Sequence, residues 1–126
     1  MTTPSSPVIP IYTSRGDADA FLRYPYLFNR RGEWIGWVTP QREVYSVLGY
    51  YVGMLTNDPR IVRKRTQDPQ PRQKVPSPPT ERLRIPASVP LPRLMADLSH
   101  EMVDVLQDDP ERLHTVDSGE LRADLD

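Results

Sequence analysis

The sequence predicts a mainly β protein, in which a small domain of repeated β-hairpins precedes a proline-rich extended segment and one C-terminal amphipathic helix. Three observations predict this architecture. A glycine-punctuated pattern occurs twice between residues 27 and 56, at an offset of 17. All ten aromatic residues fall between positions 12 and 51, so the apolar core belongs to the N-terminal half. Eight prolines then crowd residues 68–92, and an apolar stripe at helical spacing follows them.

The glycine-punctuated pattern is interpreted as one β-hairpin per copy. The first copy runs from Leu27 to Thr39 and the second from Val44 to Thr56. Each opens with an aliphatic–aromatic pair, and such residues favour strands. The first glycine of each copy, Gly32 or Gly49, stands where a tight turn needs a positive φ. The second glycine lies within the return strand, where glycine usually marks a bulge or close backbone approach.

Weaker copies of the pattern flank these two. Ile11 and Gly16 repeat the first half of the pattern, and Ile61-Val62 repeats only its opening pair. The sequence therefore predicts four strand starts and about three complete hairpins in a domain of residues 11–66.

The repeated pattern aromatic-x3-Gly-x2-(Ile/Val)-Gly-x-aliphatic resembles that of the bacterial four-fold β-flower domain, a small domain of petal-like hairpins about a pseudo-four-fold axis. The resemblance spans residues 11–65. The first copy departs from the pattern, because Ala20 stands in place of the second glycine. The resemblance implies a β-flower-like fold and no settled activity, so it transfers no catalytic residues to this chain.

Four further segments are predicted around the hairpin domain. Residues 1–10 are expected to form a flexible lead. Residues 67–92 form an extended strap, since their proline density excludes a helix or a central strand, and interleaved aliphatic residues favour packing on the hairpin domain or on a neighbouring subunit. Residues 93–108 are predicted to form the amphipathic helix, and the acidic residues 109–126 a disordered tail.

The composition favours a cytoplasmic protein without a membrane segment. The chain has no cysteine, so it holds neither a disulfide framework nor a thiolate metal site. Residues 1–10 lack the charged and apolar regions of a signal peptide. The apolar run of residues 44–55 is far shorter than the ~18–20 residues that span a bilayer, which argues against a membrane helix with Gly-x3-Gly pairing.

No residue pattern points to catalysis or to a bound cofactor. The two histidines, His100 and His114, lie outside the hairpin domain, and no phosphate-cradling glycine loop precedes a helix. Asp17 and Asp19 lie close together, but a calcium loop needs more oxygen ligands at defined spacing. We therefore predict a protein that is not an enzyme and binds no metal or cofactor.

The leading hypothesis is an interaction or assembly module that binds itself, as a homo-oligomer, or another protein. The apolar stripe of the predicted helix is the candidate contact surface. Two tryptophans extend it if they are exposed, because an exposed indole is a stacking platform, although burial of both in the core is the simpler interpretation. The candidate partner-binding residues are Leu94, Leu98, Met102, Val105, Trp34 and Trp37.

The alternative hypothesis is nucleic-acid binding by a basic segment. Residues 60–93 carry a net charge of +7, whereas residues 94–126 carry −8. Lysine and arginine side chains near aromatic residues can contact phosphates and bases. The acidic segment weakens this hypothesis, since it can occupy the basic one. The candidate nucleic-acid residues are Arg60, Arg63, Lys64 and Arg65.

Overall fold

The computed structural model describes residues 7–116, and these residues contain one eight-stranded antiparallel sheet. The strands are hydrogen-bonded in chain order, and the sheet curls into a half-barrel. Ser14, just after the first strand, hydrogen-bonds the carboxylate of Asp104 at the end of the last. The strands are β1 (Ile9–Tyr12), β2 (Ala18–Arg23), β3 (Tyr26–Phe28), β4 (Trp34–Val38), β5 (Glu43–Ser46), β6 (Tyr51–Leu55), β7 (Ile61–Lys64) and β8 (Met102–Asp104).

The repeated pattern folds as successive hairpins, which confirms its interpretation. Strands β1–β2, β3–β4 and β5–β6 form the first, second and third hairpins. Their turn glycines, Gly16, Gly32 and Gly49, have φ values of 94°, 79° and 89°. In each hairpin the register shifts by one residue at the opening aliphatic–aromatic pair. Equivalent sequence positions therefore make equivalent turns and bulges.

The core repeats with the hairpins. The four predicted strand starts place one aliphatic side chain each on the inner face of the sheet, and all four are 0% exposed: Ile11, Leu27, Val44 and Ile61. Burying a side chain of this size contributes ~1.5–3 kcal/mol. Further apolar residues of the return strands complete the same core cluster. The sequence repeat is thus a repeat of core positions.

The fourth strand pair is completed by a strand from a distant part of the chain. Strand β7 pairs with β8, although residues 65–101 lie between them. The sequence pattern predicted only the first strand of this pair, because the second strand does not follow at the repeat offset. Pairing with β8 supplies partners for the backbone groups along the outer edge of β7.

The predicted helix over residues 93–108 is not formed over most of its length. Residues 91–99 have no regular secondary structure, and Met102–Asp104 is a strand. Only Val105–Asp108, α1, is helical. Asp104 caps this helix, because its carboxylate accepts a hydrogen bond from the N–H of Gln107 (3.2 Å). Residues 102–104 pair with β7, and this tertiary contact outweighs the helical preference of the apolar spacing.

The residues after α1 pack on the domain as far as they are described. Pro110–Arg112 forms a 3₁₀ turn, and Leu113 is buried in the main core beside Val105 and Leu106. A disordered tail from residue 109 is therefore wrong for this stretch, and residues 117–126 lie outside the described residues. No helix in the described part of the chain is long and apolar enough to cross a bilayer.

The strap, residues 67–92, has no regular secondary structure and lies on its own hairpin domain. Its Leu83 is buried in a second apolar cluster on the outer face of the sheet, together with Phe21 and Phe28. Ile85 and Val89 pack beside them. At the other end of the chain β1 begins at Ile9, inside the predicted flexible lead, whose first six residues lie outside the described residues.

Candidate functional site

The strap contacts the turn glycines one after another, in the reverse of their chain order. The N–H of Gln73 donates to the carbonyl of Gly49 (2.9 Å), and the N–H of Leu83 donates to the carbonyl of Gly32 (2.9 Å). A Cβ on Gly49 would lie 2.3 Å from the carbonyl oxygen of Gln73, and one on Gly32 would lie 2.0 Å from that of Leu83. These two glycines therefore serve the docking of the strap as well as the turn itself.

A repeat within the strap matches this docking. The pattern Pro-x2-Arg-x-basic-aliphatic-Pro occupies residues 69–76 and recurs ten residues later at 79–86. Each copy places the residue after its arginine, Gln73 or Leu83, on a turn glycine. This repeat was not predicted, although the offset of ten between matching residues is a visible signal in the sequence.

The arginines of the two strap copies occupy equivalent positions. Each contacts the residue that directly follows a turn glycine. The guanidinium of Arg72 lies 5.2 Å from the ring centroid of Tyr50, and its Nε donates to the carbonyl of Leu48 (2.6 Å). The guanidinium of Arg82 lies 3.6 Å from the carboxylate of Glu33. The hairpin turn is thus a repeated docking site for an extended, arginine-bearing segment.

The two candidate tryptophans lie on the outer face and are half-buried. They share that face because the register shift opposite Leu27 and Phe28 places both beside alternate residues of β3. Trp34 packs in the cluster under the strap, and its indole N–H donates to the carbonyl of Gly36 (2.7 Å). Trp37 stacks on Tyr45 with 4.8 Å between ring centroids, and its indole N–H is buried without a partner.

The other candidate partner-binding residues do not lie together on one surface. Val105 is 0% exposed within the domain core, and Leu98 and Met102 are half-buried. Leu94 is 101% exposed. Because no helix joins these residues, they form no continuous stripe, and only Leu94 presents its whole side chain.

Arg60, a candidate nucleic-acid residue, is buried and bonded within the chain. It is 3% exposed. Its guanidinium donates to the carboxylate of Asp58 (2.6 and 3.0 Å), to the hydroxyl of Ser14 (2.9 Å) and to the carbonyl of Ala96 (2.8 Å). Burial alone would raise the pKa of Asp58, but hydrogen bonds from Arg60 and Thr56, with the arginine charge, hold that pKa below its ordinary value.

The other three basic candidates differ in their environments. Arg63 forms an ion pair with Asp109 (2.5 Å), and hydrogen bonds from Arg63 keep the pKa of Asp109 below its ordinary value. Arg65 is exposed but donates to the carbonyl of His100 (2.8 Å), whereas Lys64 is exposed at the end of β7. Arg60 and Arg63 are thus occupied by carboxylates of the same chain.

The comparisons with known proteins now decide the family. A family model described as 4-fold beta flower protein matches residues 9–97. The chain belongs to the 4-fold beta flower family. The match confirms both the resemblance and the mainly β fold inferred from the hairpin repeat. No curated protein and no solved structure matches the chain. The matched residues end before β8, the strand that pairs with β7 in this beta flower.

A cleft of about 600 Å³, lined by both polar and apolar residues, opens between the second hairpin turn of the beta flower and the residues after α1. Asp19 lines it, 3.9 Å from the guanidinium of Arg30, which is 75% exposed. Burial raises the pKa of Asp19, although the charge of Arg30 opposes this. Among residues 7–116 no three His, Asp or Glu side chains are arranged to hold a metal ion. The cleft thus places the perturbed carboxyl of Asp19 near the guanidinium of Arg30.

We expect Asp19→Asn to stabilise the beta flower at neutral pH. Because the pKa of Asp19 is raised in the folded state, the stability from its protonated form is present in acid and is lost as pH rises through that pKa. Urea unfolding of the variant and the wild type between about pH 3 and pH 7 measures the effect. Asp97→Asn, which replaces an exposed carboxyl that does not contribute to the raised pKa of Asp19, is the control. A variant less stable than wild type at pH 7 would contradict the expectation.

Two leucines project from the beta flower at the end of the strap. Leu91 is 92% exposed and Leu94 is 101% exposed, and no other large apolar side chain in residues 7–116 reaches 60%. We refer to them as the leucine pair. Leu91 also stands at the rim of an apolar cleft of about 480 Å³, lined by Ile9, Tyr12 and Leu55 among others. The leucine pair therefore stands beside an apolar cleft, with Leu91 at its rim.

Proposed function

We propose that this beta flower protein is a non-catalytic assembly module that self-associates through the leucine pair. Membership of the family fits a small domain without catalytic residues. The observation that carries the proposal is that both leucines are exposed while the chain on either side of them is fixed. The hydroxyl of Tyr12 donates to the carbonyl of Pro90 (2.6 Å), and Arg60 donates to that of Ala96 (2.8 Å).

This anchoring matters for binding energetics. Ordering a free loop at an interface costs ~0.5–1.5 kcal/mol for each immobilised side chain, and a segment already held in place avoids part of that cost. In a two-fold dimer the leucine pair of each subunit would enter the apolar cleft of the other. Four buried leucines would contribute ~6–12 kcal/mol, against an association cost of ~4–15 kcal/mol. We therefore expect a dimer whose population depends on protein concentration.

Nucleic-acid binding is the weaker alternative. Its candidate residues include Arg60, which is buried, and Arg63, whose guanidinium is paired with Asp109. Neither is available to a phosphate group without loss of an internal ion pair. The basic segment would have to act through Lys64, Arg65 and the exposed cations of the strap, such as Lys74 and Arg84.

The double variant Leu91→Asp and Leu94→Asp is expected to be monomeric at concentrations where the wild type is dimeric. A charge at each position would have to be desolvated at the interface, which opposes association. Light scattering after size-exclusion chromatography, over a concentration series, measures the change. Tyr24→Asp replaces an apolar residue that is 50% exposed elsewhere on the surface, and this control should stay dimeric. A wild type that is monomeric throughout the series would refute the proposal.

A further inference from the structure

The first hairpin turn differs from the other two in what covers it. Gly32 and Gly49 are buried under the strap backbone, which donates a hydrogen bond to each carbonyl. Gly16 is half-exposed, and its neighbour from the strap is a side chain, because the Cγ of Pro92 would lie 3.3 Å from a Cβ on Gly16. Proline has no N–H, so Pro92 cannot make the bond that Gln73 and Leu83 make.

The residue after the first turn glycine carries the charge that an arginine would need. In the second hairpin Glu33 follows Gly32 and receives the guanidinium of Arg82 (3.6 Å). In the first hairpin Asp17 follows Gly16 and is exposed. A carboxylate therefore stands at the corresponding position, and pairing of arginine with a carboxylate is the charge match already used at Gly32.

We propose that the first hairpin turn binds an extended peptide of a partner protein, of the type Pro-x2-Arg-x-basic-aliphatic-Pro. The chain's own strap places one such segment on each of the other two turns. The peptide would displace the side chain of Pro92 from Gly16, donate a backbone N–H to the carbonyl of Gly16 and place its arginine on Asp17. The site borders the leucine pair, because Pro92 lies between the two leucines. It uses Gly16 and Asp17 and neither leucine, so the peptide titration and the light-scattering test can fail separately.

The expected affinity follows from the docking of the strap. A flexible tether gives a segment an effective concentration in the millimolar range, so a segment that stays docked on such a tether has an intrinsic dissociation constant of ~1 mM or below. A free peptide with the strap sequence should bind the half-exposed first turn in the same range. A partner with a longer contact would bind more tightly.

The test is a nuclear magnetic resonance titration of the full-length, ¹⁵N-labelled protein with a synthetic peptide of residues 78–87. We expect saturable shifts of the Gly16 and Asp17 amides. The peptide should bind the Asp17→Lys variant at least about tenfold more weakly, because a tenfold change in affinity corresponds to the loss of one modest charge-assisted contact. Asp68→Lys, which alters an exposed carboxylate on the strap, is the matched control and should bind normally. The same peptide carrying Arg82→Glu should not bind.

Three results would overturn the proposal. The first is the lack of any saturable shift up to about 5 mM peptide, several times the expected dissociation constant. The second is a set of shifts confined to the Gly32 and Gly49 turns, which would mean that the peptide only exchanges with the strap. The third is equal binding of the Arg82→Glu peptide. The shift map of the wild type decides between these results even if Asp17→Lys folds poorly.

Discussion

Gly32→Ala is expected to release the strap from the second hairpin and to destabilise the protein by several kcal/mol. Alanine at a φ of 79° would be strained, because this φ lies in the left-handed region of backbone conformation. Its Cβ would also lie 2.0 Å from the carbonyl oxygen of Leu83. Backbone strain of ~1–2 kcal/mol and lost burial of Leu83, ~1.5–3 kcal/mol, together give roughly 3–5 kcal/mol. Urea unfolding measures the loss, and limited proteolysis between residues 67 and 92 detects the freed strap.

The other turn glycines provide graded controls for this variant. Gly16→Ala has the same kind of strained φ but meets only a proline side chain at 3.3 Å, so ~1–2 kcal/mol is expected from the backbone alone. Gly49→Ala also meets the strap backbone, at 2.3 Å, but displaces the exposed Gln73 rather than the buried Leu83. Its cost should fall between the other two. Equal costs at all three positions would mean that strap docking contributes nothing to stability.

Arg60→Met is expected to cost roughly 3–5 kcal/mol, because it removes one partner of a buried ion pair. Arg60 is 3% exposed and joins Asp58, Ser14 and Ala96, which belong to three separate parts of the chain. Methionine keeps much of the volume but supplies none of these hydrogen bonds. Urea unfolding at neutral pH gives the difference in free energy of unfolding between variant and wild type.

The same variant has a pH dependence of known sign. The pKa of Asp58 is lowered in the folded state, so its contribution to stability is present above the unfolded-state pKa and is lost as pH falls through the folded-state pKa. The advantage of the wild type over Arg60→Met should therefore shrink in acid. Lys64→Met, at an exposed neighbouring position, should change stability by less than ~0.5 kcal/mol. A constant difference between Arg60→Met and wild type from neutral pH to acid would contradict this account.

The hairpins were predictable because their signals are local. Each turn glycine stands a few residues from the strands that it joins, and the aliphatic openings repeat at the same offset. A further local signal went unused: Thr13, Asn29 and Ser46 each precede a turn glycine by three residues. Their side-chain oxygens accept backbone N–H groups of the same turn. This signal strengthens the weak first copy, which lacks the second glycine of the other two.

The features that the sequence did not predict depend on contacts between distant residues. The apolar residues around Leu98 and Met102 are spaced by three and four positions, which is typical of a helix. Met102–Asp104 nevertheless forms a strand, because it pairs with the otherwise open edge of β7. The burial of Arg60 likewise depends on Ser14, which the curl of the sheet brings to it. Periodicity reports on local preference and contains no information about such partners.

The order of the elements along the chain has a consequence for biosynthesis. Because β8 comes last, the edge of β7 has no partner while residues 65–101 emerge from the ribosome. Unpaired strand edges are routes to aggregation, since they invite any nearby strand to add to them. The segment made in that interval is dense in proline, which lacks the N–H that strand addition requires. The prolines therefore make the strap itself a poor partner for the open edge of β7 before β8 is made.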